Sequence, residues 1–366
     1  QKMIMNKIFD VNKTICLDRY ERFFEVSNAG YMLADIYSQV YENLGLLALN
    51  KNHRLGIYLN RQGTTKSRKF GLKLYSTKKY IYLLRKFERF INKSDDNFAK
   101  LNYSRKSDVN QFFKLVKEFF AYYRYTEFFY TDIIYDQKYG KKYKHQHNSI
   151  SSIKSKGRLL LNKIFLERKG YLNQLFDYLQ NKYSLSRDAL FNYSSKELSL
   201  LLTGKFVDKR IIDTRKRNYC LIVEKKWRKF INEDNGACNL FTNSFIKSQL
   251  NTIKGTTACL GRYIGKARVI EPDYSNFTMI EAMLTFMQPG EVLITESSSP
   301  EIVRVCKLAG AIVANQGGMG SHAAIISREM GIPCIVGTQN ATRWIKTGDT
   351  VLVDGDRGVV EVLNKG

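Results

Sequence analysis

Proline is scarce and unevenly spread: the 366 residues contain four, Pro272, Pro289, Pro300 and Pro333. Nothing before residue 272 therefore forces a helix to kink or confines a strand to a sheet edge. Six cysteines, Cys16, Cys220, Cys238, Cys259, Cys306 and Cys334, form neither a CxxC pair nor a zinc spacing. Four of them sit in apolar surroundings and read as small core residues, which suits a reducing cytoplasm, and no metal ligand set is expected. No run of 18 apolar residues occurs, so no spanning helix and no membrane partner are expected. The opening Gln1-Lys2-Met3-Ile4-Met5 lacks the apolar core of a secretory signal and reads as an arbitrary cut. A GxxxxGK[ST] phosphate loop is also missing, which leaves nucleotide binding without a recognisable motif.

What is present divides the chain near residue 254. Fourteen of the 24 glycines and all four prolines follow that point, while 41 of the 45 Phe and Tyr residues precede it. After it, 10 Lys and Arg face 11 Asp and Glu, a net charge of −1, which leaves +26 of the total +25 to the first 254 residues. Two domains are expected, 1–250 and 251–366. The basic excess suits nucleic acid, a membrane surface or phosphate-bearing partners. It also suits an AT-rich genome, and the scattering of the lysines favours that. Lys138-Tyr139-Gly140-Lys141-Lys142-Tyr143-Lys144-His145-Gln146-His147 is the exception, a basic loop that either grips phosphate or RNA or is simply solvated.

The first domain reads as mostly helical, with apolar residues spaced three and four apart. Candidate helices are Tyr41–Leu49, Tyr80–Ile91, Asp108–Tyr135 and Leu159–Gln180. Within the third, the run from Phe119 to Tyr130 is aromatic on every face, so that it is either buried in a bundle or lines a pocket. Arg124, Tyr125, Glu127 and Asp132 are then the polar candidates for binding an acceptor. Ser194-Ser195-Lys196-Glu197 is a capping box opening a helix that Gly204 ends. The following basic helix, Asp208–Asn218, offers Arg215 and Arg217 as a docking surface for phosphate or as a wet face. Tyr219–Val223 is β-rich, and Asn232–Gly236 reads as a turn.

From Gly255 onward short β and α pieces alternate: Gly261–Ile270 as turn and strand, Glu291–Thr295, a helix capped by Ser298 or Ser299 with Pro300 at its first position, then Ala311–Ala314, Cys334–Val336, Thr350–Val353 and Val359–Val362. This argues for a compact β/α domain. At its centre stands Gly317-Gly318-Met319-Gly320-Ser321-His322-Ala323-Ala324-Ile325-Ile326-Ser327-Arg328-Glu329-Met330-Gly331-Ile332-Pro333. It reads as a glycine loop with positive φ angles, a helix N-cap at Ser321, and a helix stopped by Gly331 and Pro333. His322 then sits in the first helical turn, where free N–H groups and the helix dipole favour an anion by roughly 0.3–2 kcal/mol.

That run resembles the phosphohistidine signature of the swivelling domain in phosphoenolpyruvate-utilising enzymes. This family includes phosphoenolpyruvate synthase, pyruvate phosphate dikinase, rifampin phosphotransferase and the glutamine kinases of capsule biosynthesis. The likeness covers roughly residues 255–362. Family members usually carry threonine two positions before the histidine; here it is Gly320, so that hydroxyl is absent. The resemblance implies that His322 is transiently phosphorylated, with Gly317, Gly318, Gly320, Ser321 and Arg328 supporting loop and phosphate. It implies an ATP-dependent phosphotransferase using magnesium, in which an ATP-grasp domain loads the histidine and AMP and phosphate are the other products. That ATP-grasp domain is expected outside this chain, in cis or in trans. The helical first domain resembles, in order and character alone, the acceptor-binding domain of rifampin phosphotransferase and its glutamine-kinase relatives. A small-molecule acceptor is expected, glutamine by preference; a rifamycin-type antibiotic or a phosphoenolpyruvate synthase-like reaction is the alternative. The rival from another class is a non-catalytic, basic nucleic-acid-binding protein whose histidine is a regulatory phosphoacceptor.

Overall fold

The computed structural model describes residues 19–27, 29–51, 53–135, 143–224, 227–232, 252–271, 286–296 and 303–366. The chain begins with β1 (Tyr20–Ser27), α1 (Tyr31–Val40), a 3-10 turn (Glu42–Leu44), β2 (Leu46–Lys51) and β3 (Arg54–Asn60). A helical stretch follows: α2 (Arg61–Tyr75), α3 (Lys79–Ala99), α4 (Lys106–Tyr123), a second 3-10 turn (Arg124–Thr126), α5 (Phe128–Tyr135), α6 (Lys144–Phe165) and α7 (Tyr171–Tyr183). After α8 (Arg187–Phe191), α9 (Ser195–Leu201) and α10 (Lys209–Lys216), β4 (Tyr219–Glu224) and β5 (Trp227–Asn232) return to the first sheet. That sheet is antiparallel, in the order β1-β3-β2-β4-β5.

The helices bury an aromatic core. Phe87 of α3, Phe112 and Phe119 of α4, Ile164 of α6 and Phe176 of α7 belong to one cluster, with Phe98 stacked on Tyr171 at 4.6 Å between ring centres. A second cluster lies between the sheet and the helices, joining Leu46, Ile57 and Leu221 to Ala34 of α1 and Phe129 of α5. The mostly helical reading of this part therefore holds and the β-rich Tyr219–Val223 forms β4, but β1, β2, β3 and β5 were not expected. Tyr41–Leu49 is not a helix: Gly45 takes φ +74 and the chain turns into β2. Leu46, Leu47, Ala48 and Leu49 are all buried, so this central strand carries no alternation to set it apart from a buried helix. Asp108–Tyr135 is broken at Arg124–Thr126, after which Glu127 is extended. Leu159–Gln180 splits into the end of α6 and α7, with Gly170 as the N-cap of α7. Lys144–His147 opens α6, and Lys138–Lys142 lies outside the described residues. Asn232 closes β5, while 233–236 and the Ser298–Pro300 cap also fall outside them.

The remaining residues build a second, mixed sheet from β6 (Thr252–Lys254), β7 (Thr256–Cys259), β8 (Arg262–Ile270), β9 (Val292–Thr295), β10 (Ala311–Ala314), β11 (Cys334–Val336), β12 (Thr350–Asp354) and β13 (Val359–Asn364). Its order is β6-β13-β12-β8-β9-β10-β11-β7. Four neighbours, β8, β9, β10 and β11, run parallel. Short helices α11 (Val303–Cys306), α12 (His322–Met330) and α13 (Ala341–Trp344) connect these strands. Fully buried Ala311 and Val313 face one side of β10, and Ile312 and Ala314 face the other, as expected of a parallel strand covered on both faces.

The capping box at α9 is present: Ser194 Oγ accepts from the Glu197 N–H at 3.3 Å and Glu197 accepts from the Ser194 N–H at 2.8 Å. Arg215 of α10 grips the same carboxylate with both terminal nitrogens, at 2.6 and 3.0 Å. Burial pushes the Glu197 carboxyl up, but Arg215 and the Ser194 N–H outweigh it and hold it below the usual glutamate range. A carboxyl lowered by folding stabilises the fold above its unfolded value, roughly 4.3, and loses that contribution as pH falls through its folded value. Glu197→Gln is expected to lower Tm at pH 7 by roughly 2–4 °C, the effect of about 1 kcal/mol in a domain of this size. It should also flatten the fall of Tm between about pH 5 and pH 3. Thermal melts across that range check this; an unchanged slope in the variant would contradict it.

Candidate active site

The glycine loop follows β10, so that it leaves the carboxyl end of the parallel strands, where open α/β sheets bind ligands. Of its three glycines, the left-handed conformation falls on Gly317, at φ +105, and not on Gly318 or Gly320. A Cβ at Gly317 would meet the Ser321 Cβ at 2.8 Å, so the loop folds back on its own cap. Ser321 is extended and its Oγ accepts from the Ala324 N–H at 3.3 Å. Gly331 ends α12 in the left-handed region, at φ +67. Arg328 donates to the Met319 carbonyl at 2.8 Å and to the Ala258 carbonyl at 3.5 Å, lacing the loop to the helix and to β7. Behind α12, burial pushes the Cys306 and Cys334 thiols up to about 12, which keeps them protonated and inert.

His322 opens α12 beside the helix's free N–H groups, half-buried, and lines a cavity of about 240 Å³ shared with the first part of the chain. Phe23 and Phe24 of β1, Leu33 of α1 and Phe120 and Tyr123 of α4 form apolar walls. The polar groups are few: Glu25, Glu127, Thr131, and Lys154 and Arg158 one turn apart on α6. Lys154 lies 3.5 Å from Glu127. On the mobile side Gln316, Gly317, Gly318, Gly320 and Ser321 complete the lining.

Of the acceptor-side candidates, Glu127 alone lines this cavity. Arg124 instead covers the Tyr125 ring, 5.0 Å from its centre, and donates to the Tyr125 hydroxyl at 3.1 Å. The side chain of Asp132 lies outside the described residues. Arg215 is held by Glu197 and stacks 4.1 Å above the Tyr31 ring, and Arg217 is exposed at the end of α10. Neither lines this cavity. The aromatic run divides its work: Phe119 is core, while Phe120, Tyr123 and Phe128 wall the cavity. Lys154 and Arg158 escaped the sequence reading because nothing in the basic α6 distinguishes them from solvated lysines and arginines nearby.

An ion network joins the two parts beside this cavity. Arg22 of β1 pairs with Glu296, which follows β9, and lies 3.5 Å from Glu25. Glu25 also receives Arg54 at 2.8 Å and Arg343 of α13 at 2.5 Å. Arg54 holds Glu271, at the end of β8, with both nitrogens at 3.0 and 2.7 Å. Burial pushes Glu25 up, yet Arg22, Arg343 and Arg54 outweigh it and hold its carboxyl below the usual range. At Glu296 burial wins over Arg22 and the neighbouring amides, and the carboxyl is raised.

Among the described residues no group of three His, Cys, Asp or Glu side chains is placed to hold a metal ion, and no helix is long and apolar enough to cross a membrane.

Residues 287–358 match the family described as PEP-utilising enzyme, mobile domain. A probable phosphoenolpyruvate synthase of Staphylothermus marinus is 50% identical over 108 residues, 30% of this chain and 12% of that protein. The phosphoenolpyruvate synthase of Pyrococcus furiosus is 53% identical over 74 residues, 20% of this chain and 9% of that one. That of Synechocystis is 46% identical over 114 residues, 30% of this chain and 13% of the relative. The chain thus covers about a tenth of the length of these curated relatives. A solution structure of Enzyme I aligns with 82% of this chain and 81% of its own at 17% identity, but its TM-score of 0.22 carries no argument. Residues 287–358, with His322 at the mouth of α12, are thus similar to the mobile domain of phosphoenolpyruvate-utilising enzymes.

Proposed function

We propose that His322 carries a phosphoryl group into the cavity between the two parts and gives it to an acceptor hydroxyl bound there. What supports the reading is that the histidine of the family signature and the acceptor-side walls line one cavity. In the transfer, the P–N bond to the imidazole breaks and a P–O bond to the acceptor forms. The hydroxyl proton is released to water and the freed ring nitrogen takes one up, so the step balances overall. The reaction is chiefly positioning and charge stabilisation. Helix N–H groups at α12 face the phosphoryl group from one side, and Lys154 and Arg158 supply positive charge from the other.

The walls favour a small acceptor with an apolar body and a hydroxyl over glutamine, which would leave Phe23, Phe24, Phe120 and Leu33 without apolar partners. A cavity of about 240 Å³ does not take a whole rifamycin-sized molecule. Loading of the histidine is assigned to an ATP-grasp domain in cis or in trans, which would hold ATP and magnesium. The small share of the relatives' length that this chain covers is compatible with such a further domain.

With labelled ATP and an added ATP-grasp domain, the chain should take acid-labile, base-stable label, and His322→Ala should take none. Equal labelling of both would contradict the reading. Lys154→Met and Arg158→Met should load as fast as the parent but pass the label to acceptor about 10²–10³-fold more slowly, the usual cost of one charge-stabilising donor. Single-turnover transfer from the loaded chain measures this; unchanged transfer rates would remove both residues from the site.

A further inference from the structure

The carboxyl ends of the four parallel strands all face the first part of the chain, and Arg22 enters the middle of that edge. Glu271 follows β8, Glu296 follows β9, Asn315 and Gln316 follow β10, and Gln339 lies just beyond β11. Arg22 donates to the Glu296 carboxylate and to the Gln339 carbonyl, and Gln339 takes φ +65 there. The side chains of Arg22, Glu25 and Glu296 are 6%, 3% and 7% exposed, so this contact is nearly dry.

Glu296 is also the anchor of the glycine loop. Its carboxylate accepts from Gln316 Nε2 at 2.7 Å and from Asn315 Nδ2 at 2.5 Å, and its main-chain carbonyl accepts the Gln316 N–H at 2.9 Å. Asn315 Oδ1 in turn accepts from Thr338 Oγ1 at 3.2 Å and from the Thr342 N–H at 3.3 Å. Gln316 is the last residue before Gly317, and both line the cavity with His322. One carboxylate is therefore shared between an arginine of the acceptor-side sheet and the two residues from which the His322 loop springs.

We propose that Arg22 and Glu296 are positioning residues that couple docking of the mobile domain to the shape of the His322 loop. When Arg22 is seated, the Glu296 charge is neutralised in place and Asn315 and Gln316 are held on it. When the domain leaves, Arg22 goes with the sheet, the buried carboxylate must be rehydrated, and water competes for the two amides. The loop is then ordered for transfer in the docked position and loosened elsewhere. The coupling deepens the carrier reading of His322 and rests on it for its purpose.

Hydrogen exchange of the full chain tests it, comparing the parent with Arg22→Met, Glu296→Gln and the exposed Arg357→Met. In the first two, amides of residues 316–321 should exchange at least tenfold faster, while β12 and α4 keep their protection; Arg357→Met should match the parent. Exchange within twofold of the parent at 316–321, or an equal rise in β12 and α4, would overturn the coupling, the latter marking a merely structural role. Treatment with phosphoramidate, a donor that needs no nucleotide site, separates the two claims. A parent chain that takes no phosphate on His322 would remove the carrier reading and leave the exchange result to decide the coupling.

Discussion

Three guanidinium groups set against three carboxylates hold the mobile domain at the rim of the cavity: Arg22, Arg54 and Arg343 with Glu25, Glu271 and Glu296. Everything said of His322 depends on this contact, because it is what brings the helix mouth to the aromatic walls. The carrier reading requires this joint to open, and its composition suits that. A joint made of buried apolar surface would resist separation by the full cost of wetting it. Paired charges lose much less, since each regains water when the faces part. The arginine forks supply orientation as well as charge, so the same contact is specific when closed and reversible.

The geometry around His322 follows from a small number of local choices. A parallel strand must end at a loop, Gly317 lets that loop fold back on Ser321, and Ser321 then opens the helix with His322 in its first turn. Arg328 secures the loop through the Met319 carbonyl. On the opposite wall the chain spends aromatic residues on both core and cavity, which is why Phe and Tyr crowd the end of α4 and the turn after it.

The parts legible in the sequence were those whose determinants are close together. The glycine loop, the N-cap, the helix and its Gly331 stop fall within one run, and the Ser194–Glu197 box within four residues. The strand Leu46–Lys51 was not legible, because burial on both faces erases alternation. Arg215 and Arg124 stand out in sequence, but what they touch does not: Arg215 pairs with Glu197, and Arg124 donates to the Tyr125 hydroxyl. Arg22 and Glu296 are 274 residues apart, and only the two sheets, once folded and docked, bring them together.

The central claim is that the His322 imidazole delivers phosphate to a hydroxyl in the shared cavity. The most direct measurement is a 31P NMR time course on the chain preloaded at His322, with and without a panel of small apolar hydroxylated acceptors. The account predicts that acceptor speeds loss of the P–N resonance and that one phosphate ester appears for each P–N bond lost. Decay to inorganic phosphate at one rate, with or without any such acceptor, would contradict it.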